Sequence, residues 1–160
     1  MPVACLRGLG PRALTQLGGS SPALATDTLQ LMGVRSLDPG EAALVQQLGV
    51  QVVDSAALQA HGIDAVMAQA LQGMGPKTHL HLSLDIDVLD PALAPGVSTP
   101  VPGGLTLKQA LRCMAQMVAS GRLASLELAE LNPAADVAQR TARCGVALLA
   151  RLFERSGEQA

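Results

Sequence analysis

HLHLSLDIDVLDPALAPGVSTPVPGGLT, residues 79–106, is the stretch that decides the fold. Its first half alternates. His79, His81, Ser83, Asp85 and Asp87 fall on one face of a strand, and Leu80, Leu82, Leu84, Ile86 and Val88 on the other, because strand side chains repeat every two residues. The apolar face suits a core, while the opposite face brings two carboxylates close together at the strand's end. A loop rich in Pro and Gly follows at once. Two acids backed by a stiff loop point to a site for a hard cation.

On either side of this strand, strand and helix signals alternate. Val3–Leu9 suggests a short helix, and Gly18-Gly19-Ser20-Ser21-Pro22 a loop. Residues 29–35 have the pattern of a short buried strand, and Asp38-Pro39-Gly40 that of a turn. Residues 41–48 are expected to be helical, ended by Gly49, a residue common just past a helix end. A second strand is expected at 50–53, ending at Asp54, then a helix over 63–71 closed by Gly73. The third strand covers 78–87. Thr106 is placed to N-cap a helix over 107–119, stopped by Gly121. Residues 123–131 form a fourth strand ended by Asn132-Pro133. The longest helical pattern spans 136–155, with apolar residues at Val137, Ala138, Ala142, Val146, Leu149 and Leu152. Strands separated by helices imply an α/β fold with a mainly parallel sheet covered on both faces.

Open α/β sheets bind ligands beyond the carboxyl ends of their strands. Four strands here finish near an acid: Asp38, Asp54, Asp87 with Asp85, and Glu130. Such a rim repels itself unless a cation or a cationic substrate sits there. Asp54 has a plainer role as a turn residue or helix cap, and Asp38, before Pro-Gly, could be a turn residue too. Glu130, in an otherwise apolar strand, is costlier to explain without a partner. His81 would lie about 13 Å along the strand from Asp85, and His79 farther, so neither shares a metal with the pair. They are read as packing or polar-network residues, and His61 as a solvated loop residue.

Composition narrows the function. The chain has 160 residues, 49% hydrophobic and 15% charged, which suits one globular domain over 1–160. With one Phe, no Trp and no Tyr it has no platform for base stacking. Eleven Lys and Arg against 13 Asp and Glu leave a net charge of −2, so nucleic acid is not an expected partner. Cys5, Cys113 and Cys144 are far apart and form no CxxC, as free buried thiols of a reducing compartment would. No apolar run is long enough for a bilayer, and no signal peptide is evident. The expectation is a soluble cytoplasmic protein.

Ser83-Leu84-Asp85-Ile86-Asp87, followed by Pro91, Pro95-Gly96 and Gly103-Gly104, resembles the ureohydrolase motif S-x-D-x-D-x3-P-x3-P-G-x7-G at every fixed position. That family comprises arginase, agmatinase and their relatives. Three further segments are similar to arginase. Thr99-Pro100-Val101 has Val where agmatinases typically carry Glu, Glu130-Leu131-Asn132-Pro133 is similar to Glu-Val-Asn-Pro, and Gly33 to Glu41 is similar to Gly-Leu-Arg-x-x-Asp-Pro-Gly-Glu. Even Met1-Pro2-Val3-Ala4 looks like the family's interior. The resemblance implies a three-layer α/β/α fold, two Mn2+ ions activating a bridging water, and hydrolysis of L-arginine to L-ornithine and urea. It also implies Asp85 and Asp87 as metal ligands, Glu130 receiving the guanidinium with Thr99 nearby, and Asp38 facing the substrate's α-amino group. Complete family members commonly form homo-oligomers, trimers or hexamers.

The family's first half, with a His and a D-x-H-x-D cluster, has no counterpart in this sequence. Val88 and Ser98 also stand where the family often has Gly. Two carboxylates cannot satisfy two Mn-like ions, which prefer octahedral oxygen-rich sites. The expectation is therefore an arginase-type chain truncated at its N-terminus, with no complete catalytic set and inactive alone. Two alternatives stand beside it: an agmatinase-like or other ureohydrolase, and a non-catalytic assembly module that pairs with a complete or complementary arginase chain. An Asp-x-Asp phosphotransfer enzyme using Mg2+ would need a phosphate-binding Gly loop and a catalytic Lys, which are missing.

Overall fold

Strand β3 (Leu80–Asp85) pairs in parallel with β4 (Leu123–Ala129), with Leu82 opposite Leu126 and Leu84 opposite Leu128. This is a computed structural model, and it describes residues 2–72 and 74–153. The other elements are α1 (Pro2–Leu6), α2 (Arg12–Thr15), β1 (Gln30–Val34), α3 (Pro39–Leu48), β2 (Gln51–Asp54), α4 (Ser55–His61), α5 (Ile63–Leu71), α6 (Leu107–Ala119) and α7 (Arg140–Phe153). Strand β1 pairs with β2, so the described strands form two two-stranded sheets. The α/β architecture with parallel pairing agrees with the sequence. The chain divides into two compact units, one of residues 1–32 and 37–53, the other of 33–36 and 54–160.

In the second unit, the leucines of β3 and β4 are half-buried, and helix α7 closes over this side of the sheet. Gly145 faces it: a Cβ built there would lie in ordinary contact, 3.6 Å from Leu128 Cδ1 and 4.0 Å from Ile86 Cδ1. The buried stripe of α7 is Thr141, Cys144, Gly145 and Leu148. This corrects the expected face, since Val137 and Val146 are about two-thirds exposed. The helix uses a small residue for contact, which an apolarity count overlooks. Helix α6 contributes Ala110, Met114 and Met117 to the same core, and α4 and α5 contribute Leu58, Ile63, Val66 and Met67. With no aromatic among them, aliphatic and Met side chains fill this core.

Helix α6 starts as expected. Thr106 accepts from the backbone N–H of Gln109 while the Gln109 side chain accepts from that of Thr106, a reciprocal capping box. Gly49, with φ 65°, ends α3 in the left-handed conformation. Residues 38–40 are not a separate turn: Asp38 caps α3, and Pro39 is its first residue. That fits proline's fixed φ and missing N–H at a helix start. Helix α4 is an element the sequence pattern did not announce, with Asp54 as its cap and His61 its exposed last residue. Gly73, the expected stop of α5, lies outside the described residues, as does Arg155.

The first unit holds no buried side chain among its described residues, whereas every buried apolar residue belongs to the second. Among the described residues no helix is long and apolar enough to cross a membrane. Of the three free thiols, only Cys144 is buried; Cys5 and Cys113 are half-buried. Burial pushes the Cys113 thiol up to about 11, so it is a packing residue at neutral pH.

Two carboxylates anchor helices of the second unit. Asp64 on α5 takes a bidentate pair of bonds from Arg112 on α6, at 2.7 and 3.0 Å, and a third from Gln116. The Arg112 bond holds the Asp64 carboxyl below its usual range. Asp136 accepts from the backbone N–H groups of Thr141 and Ala142. Loss of solvent raises its carboxyl, but these backbone bonds outweigh that and bring it below the usual range. A carboxylate depressed in the folded state contributes stability above its unfolded pKa and loses it as pH falls through the folded pKa. Stability should therefore drop with acidification below the ordinary carboxylate range. Thermal melts of D64N and D136N at stepped pH should show a shallower drop, and a slope equal to wild type would contradict these assignments.

Candidate active site

Strand β3 stops at Asp85, and residues 86–88 turn as a 3-10 segment, so Asp87 does not sit on the strand. The expected strand to 87 is corrected by the core itself. Ile86 and Leu89 are both almost wholly buried, 0% and 1% exposed, and a spacing of three suits a 3-10 turn, not a strand. The two acids nevertheless stay close. Strand β4 likewise ends at Ala129, before the expected 131, and Glu130 follows with φ 63°. Left-handed backbone is uncommon for a residue with a Cβ and is enriched where a site needs a particular side-chain direction.

Asp85, Asp87 and Glu130 thus leave the ends of two paired parallel strands within electrostatic reach of one another. Asp85 is exposed as a residue, yet partial loss of solvent around its carboxyl raises it above the usual range. The charges of Asp87, Glu130 and Glu127 push it further the same way. Partial burial raises the Asp87 carboxyl too; the Arg35 guanidinium lowers it, and Glu130 opposes that. An acid cluster that resists its own ionisation fits a cation by charge and by donor type.

It does not complete a metal site. Among the described residues, no group of three or more His, Cys, Asp or Glu is placed to hold a metal ion. Asp85 and Asp87 could hold an ion only with ligands from outside this set. His81 does not supply one: its Nδ1 lies 2.8 Å from Ser125 Oγ, and its Nε2 lies 3.9 Å from Glu127, on the exposed face of the sheet. That is the polar network expected of it. Thr99 sits in an exposed bend between Pro95-Gly96 and Val101. Asp38 belongs to the first unit, where its Oδ1 accepts from Glu41 N at 2.8 Å in a second capping box. Asp54 accepts from Ala57 N at 2.6 Å, the cap role foreseen for it.

The loop after Asp87 is held by carboxylate and glycine. Asp90 Oδ2 accepts from Gly103 N and Gly104 N at 2.8 and 3.2 Å, and Oδ1 from Ala92 N at 2.9 Å. The Ala92 bond first, then those from Gly103 and Gly104, keep its carboxyl below the usual range. Leu105 N then donates to Val88 O, and Asp90 N to Leu105 O, sewing the loop's end beside its start. Farther along, Gly96 N donates to the buried Thr141 Oγ1 at 2.7 Å, and Gly96 O accepts from Asn132 N at 2.8 Å. One glycine therefore links α7, the Thr99 bend and the segment carrying Glu130. Thr141→Val should leave the Gly96 N–H buried and unpaired, costing about 1–3 kcal/mol. Urea unfolding checks this; a midpoint matching wild type would contradict it.

Asp90, Asp136 and Arg35 carry this framework without having stood out in the sequence. Asp90-Pro91 has the form of an Asx turn, a usable signal. Nothing in the local sequence announces the tertiary partners of Arg35 or Asp136.

The arginase family model matches residues 16–154. The arginase of Bacillus caldovelox is 40% identical over 154 residues, covering 96% of this chain and 52% of that relative. The native structure of Bacillus caldovelox arginase superposes with a TM-score of 0.92 at 38% identity, over 98% of this chain and 52% of that one. A structure described as a hypothetical agmatinase from Burkholderia thailandensis gives 0.72 at 28% identity, over 88% and 42%. The chain spans about half the length of the curated relatives it matches.

Proposed function

The chain belongs to the arginase family of hydrolases, and from that premise we propose that it carries the carboxylate portion of an L-arginine-hydrolysing site, short of a complete one. The observation behind this reading is the convergence of Asp85, Asp87 and Glu130 at the ends of β3 and β4, where the charges of Asp87 and Glu130 bear on Asp85 and that of Glu130 on Asp87. In the proposed roles, Asp85 and Asp87 would hold Mn2+. Glu130 would pair with the planar guanidinium through two parallel hydrogen bonds, a geometry a carboxylate matches well. Thr99 would border that group. When bound, a pair of such ions supplies a water acidic enough to act as nucleophile near neutral pH.

The ligand count sets the limit. With no three-ligand group among the described residues, this chain alone should not turn over. Ligands from a complementary segment would complete the centre, and the complete protein is proposed to be a cytoplasmic homo-oligomer, a trimer or hexamer.

The test is complementation. The chain is mixed with a fragment of Bacillus caldovelox arginase covering the half it does not match, and Mn2+ is added with L-arginine or agmatine. Urea from L-arginine in the mixture, abolished by Asp85→Asn, is the expected result. Urea from agmatine alone would move the substrate to the agmatinase side. A tight complex that releases no urea from either would favour a non-catalytic assembly module.

A further inference from the structure

Arg35 stands at the end of β1 and spends its side chain on main-chain oxygens. Its Nε donates to Val101 O at 3.1 Å, one Nη to Val88 O at 3.2 Å and Gly33 O at 3.3 Å, and the other Nη to Asp87 O. The guanidinium is half-buried, and all four acceptors lie within the second unit. Those carbonyls come from three separate stretches: the end of β1, the turn that carries Asp87, and the loop that runs on from Thr99. A planar fork with five N–H donors can bridge such a set in one plane; an ammonium on a flexible stem cannot. Beside it, Gly33 runs so close to the same turn that a Cβ would sit 2.6 Å from Val88 Cγ2. Main chain and guanidinium thus grip residues 87 and 88 together.

We propose that Arg35 is a positioning residue: by bridging the Asp87, Val88 and Val101 carbonyls it fixes the direction of the Asp87 carboxylate and its distance from the Thr99 loop. This rests on the proposed role of Asp87 as a metal ligand. Arg35 touches no substrate atom in this scheme and acts through the turn. Groups that orient a ligand from behind typically change metal affinity about 10- to 100-fold when removed. Its positive charge also bears on Asp87 and Asp90, so charge and geometry must be separated.

Arg35→Lys keeps the charge and loses the fork, whereas Arg35→Gln loses both. The full chain, labelled with 15N, is titrated with Mn2+ alone, and paramagnetic broadening is followed residue by residue beside circular dichroism. In wild type, broadening should centre on Asp85 to Val88 and on Glu130. Both Arg35 variants should retain helix content, shift the Leu89 and Leu105 amides, and weaken Mn2+ binding about 10-fold. Arg112→Ala, which breaks only the Asp64 pair, should leave the broadening unchanged. Wild-type affinity in Arg35→Lys would overturn the positioning role, because charge alone would then suffice. Wild-type affinity in both variants, with Asp87→Asn defective, would overturn it while leaving Asp87 as a ligand. Broadening that ignores Asp87→Asn, or a wild-type chain that shows none at Asp85 to Val88, would overturn the ligand role and this proposal with it. If Arg35→Gln fails to fold, Arg35→Lys decides the matter.

Discussion

Alanine at Gly104 should cripple the fold. Its Cβ would lie 2.4 Å from Asp90 N, 2.5 Å from Leu89 C and 2.6 Å from Leu89 O, all main-chain atoms that cannot rotate away. Relief requires separating the two ends of the loop, which breaks the Leu105–Val88 and Asp90–Leu105 bonds and exposes Leu89 and Leu105, both nearly fully buried. Overpacking of this kind costs about 3 kcal/mol or more, a large share of the roughly 5–15 kcal/mol available to a domain. Gly103 offers a control one residue away. It has φ +84° but nothing within 4 Å, so alanine there meets only backbone strain of about 1 kcal/mol. Urea unfolding should rank wild type above Gly103→Ala and that well above Gly104→Ala; equal midpoints for the two variants would refute the close approach.

The second large effect concerns the acid cluster, and its sign depends on metal. Without a cation, Asp85, Asp87 and Glu130 repel one another. Neutralising Asp85 and Asp87 together as Asn should therefore raise the melting temperature of the metal-free chain. With Mn2+ the order reverses. A ligand present at ten times its Kd stabilises by about 1.4 kcal/mol, which raises the wild-type midpoint by several degrees. The double Asn variant should show no such rise. A Mn2+ shift that survives in the variant would move the cation elsewhere on the chain.

Much of this was legible in the sequence because local chemistry dictated it. The alternation of 80–85, the Thr106 cap and the Gly49 stop depend on residues within a few positions of one another. The motif glycines at 96 and 104 are forced by close approach to Asp136 and Leu89, a demand the spacing recorded without explaining. What failed was tertiary. The strand expected to reach Asp87 bends because Ile86 and Leu89 are both drawn into the core. The buried face of α7 runs through Thr141, Cys144, Gly145 and Leu148, small and polar residues that an apolar pattern passes over. Asp54 and Asp38 each cap a helix, the plainer role that their place before a turn had left open. At the ends of β3 and β4, the charges of Asp87, Glu130 and Glu127 bear on Asp85, and that of Glu130 on Asp87.

The proposed role gives this chain part of a hydrolytic centre and not the whole of it. The most direct measurement is urea release from L-arginine by the purified 160-residue chain in saturating Mn2+, beside its Asp85→Asn variant. No urea above the Mn2+ blank is expected from either protein. Sustained turnover by the wild-type chain, abolished in Asp85→Asn, would contradict it and make this chain a complete enzyme.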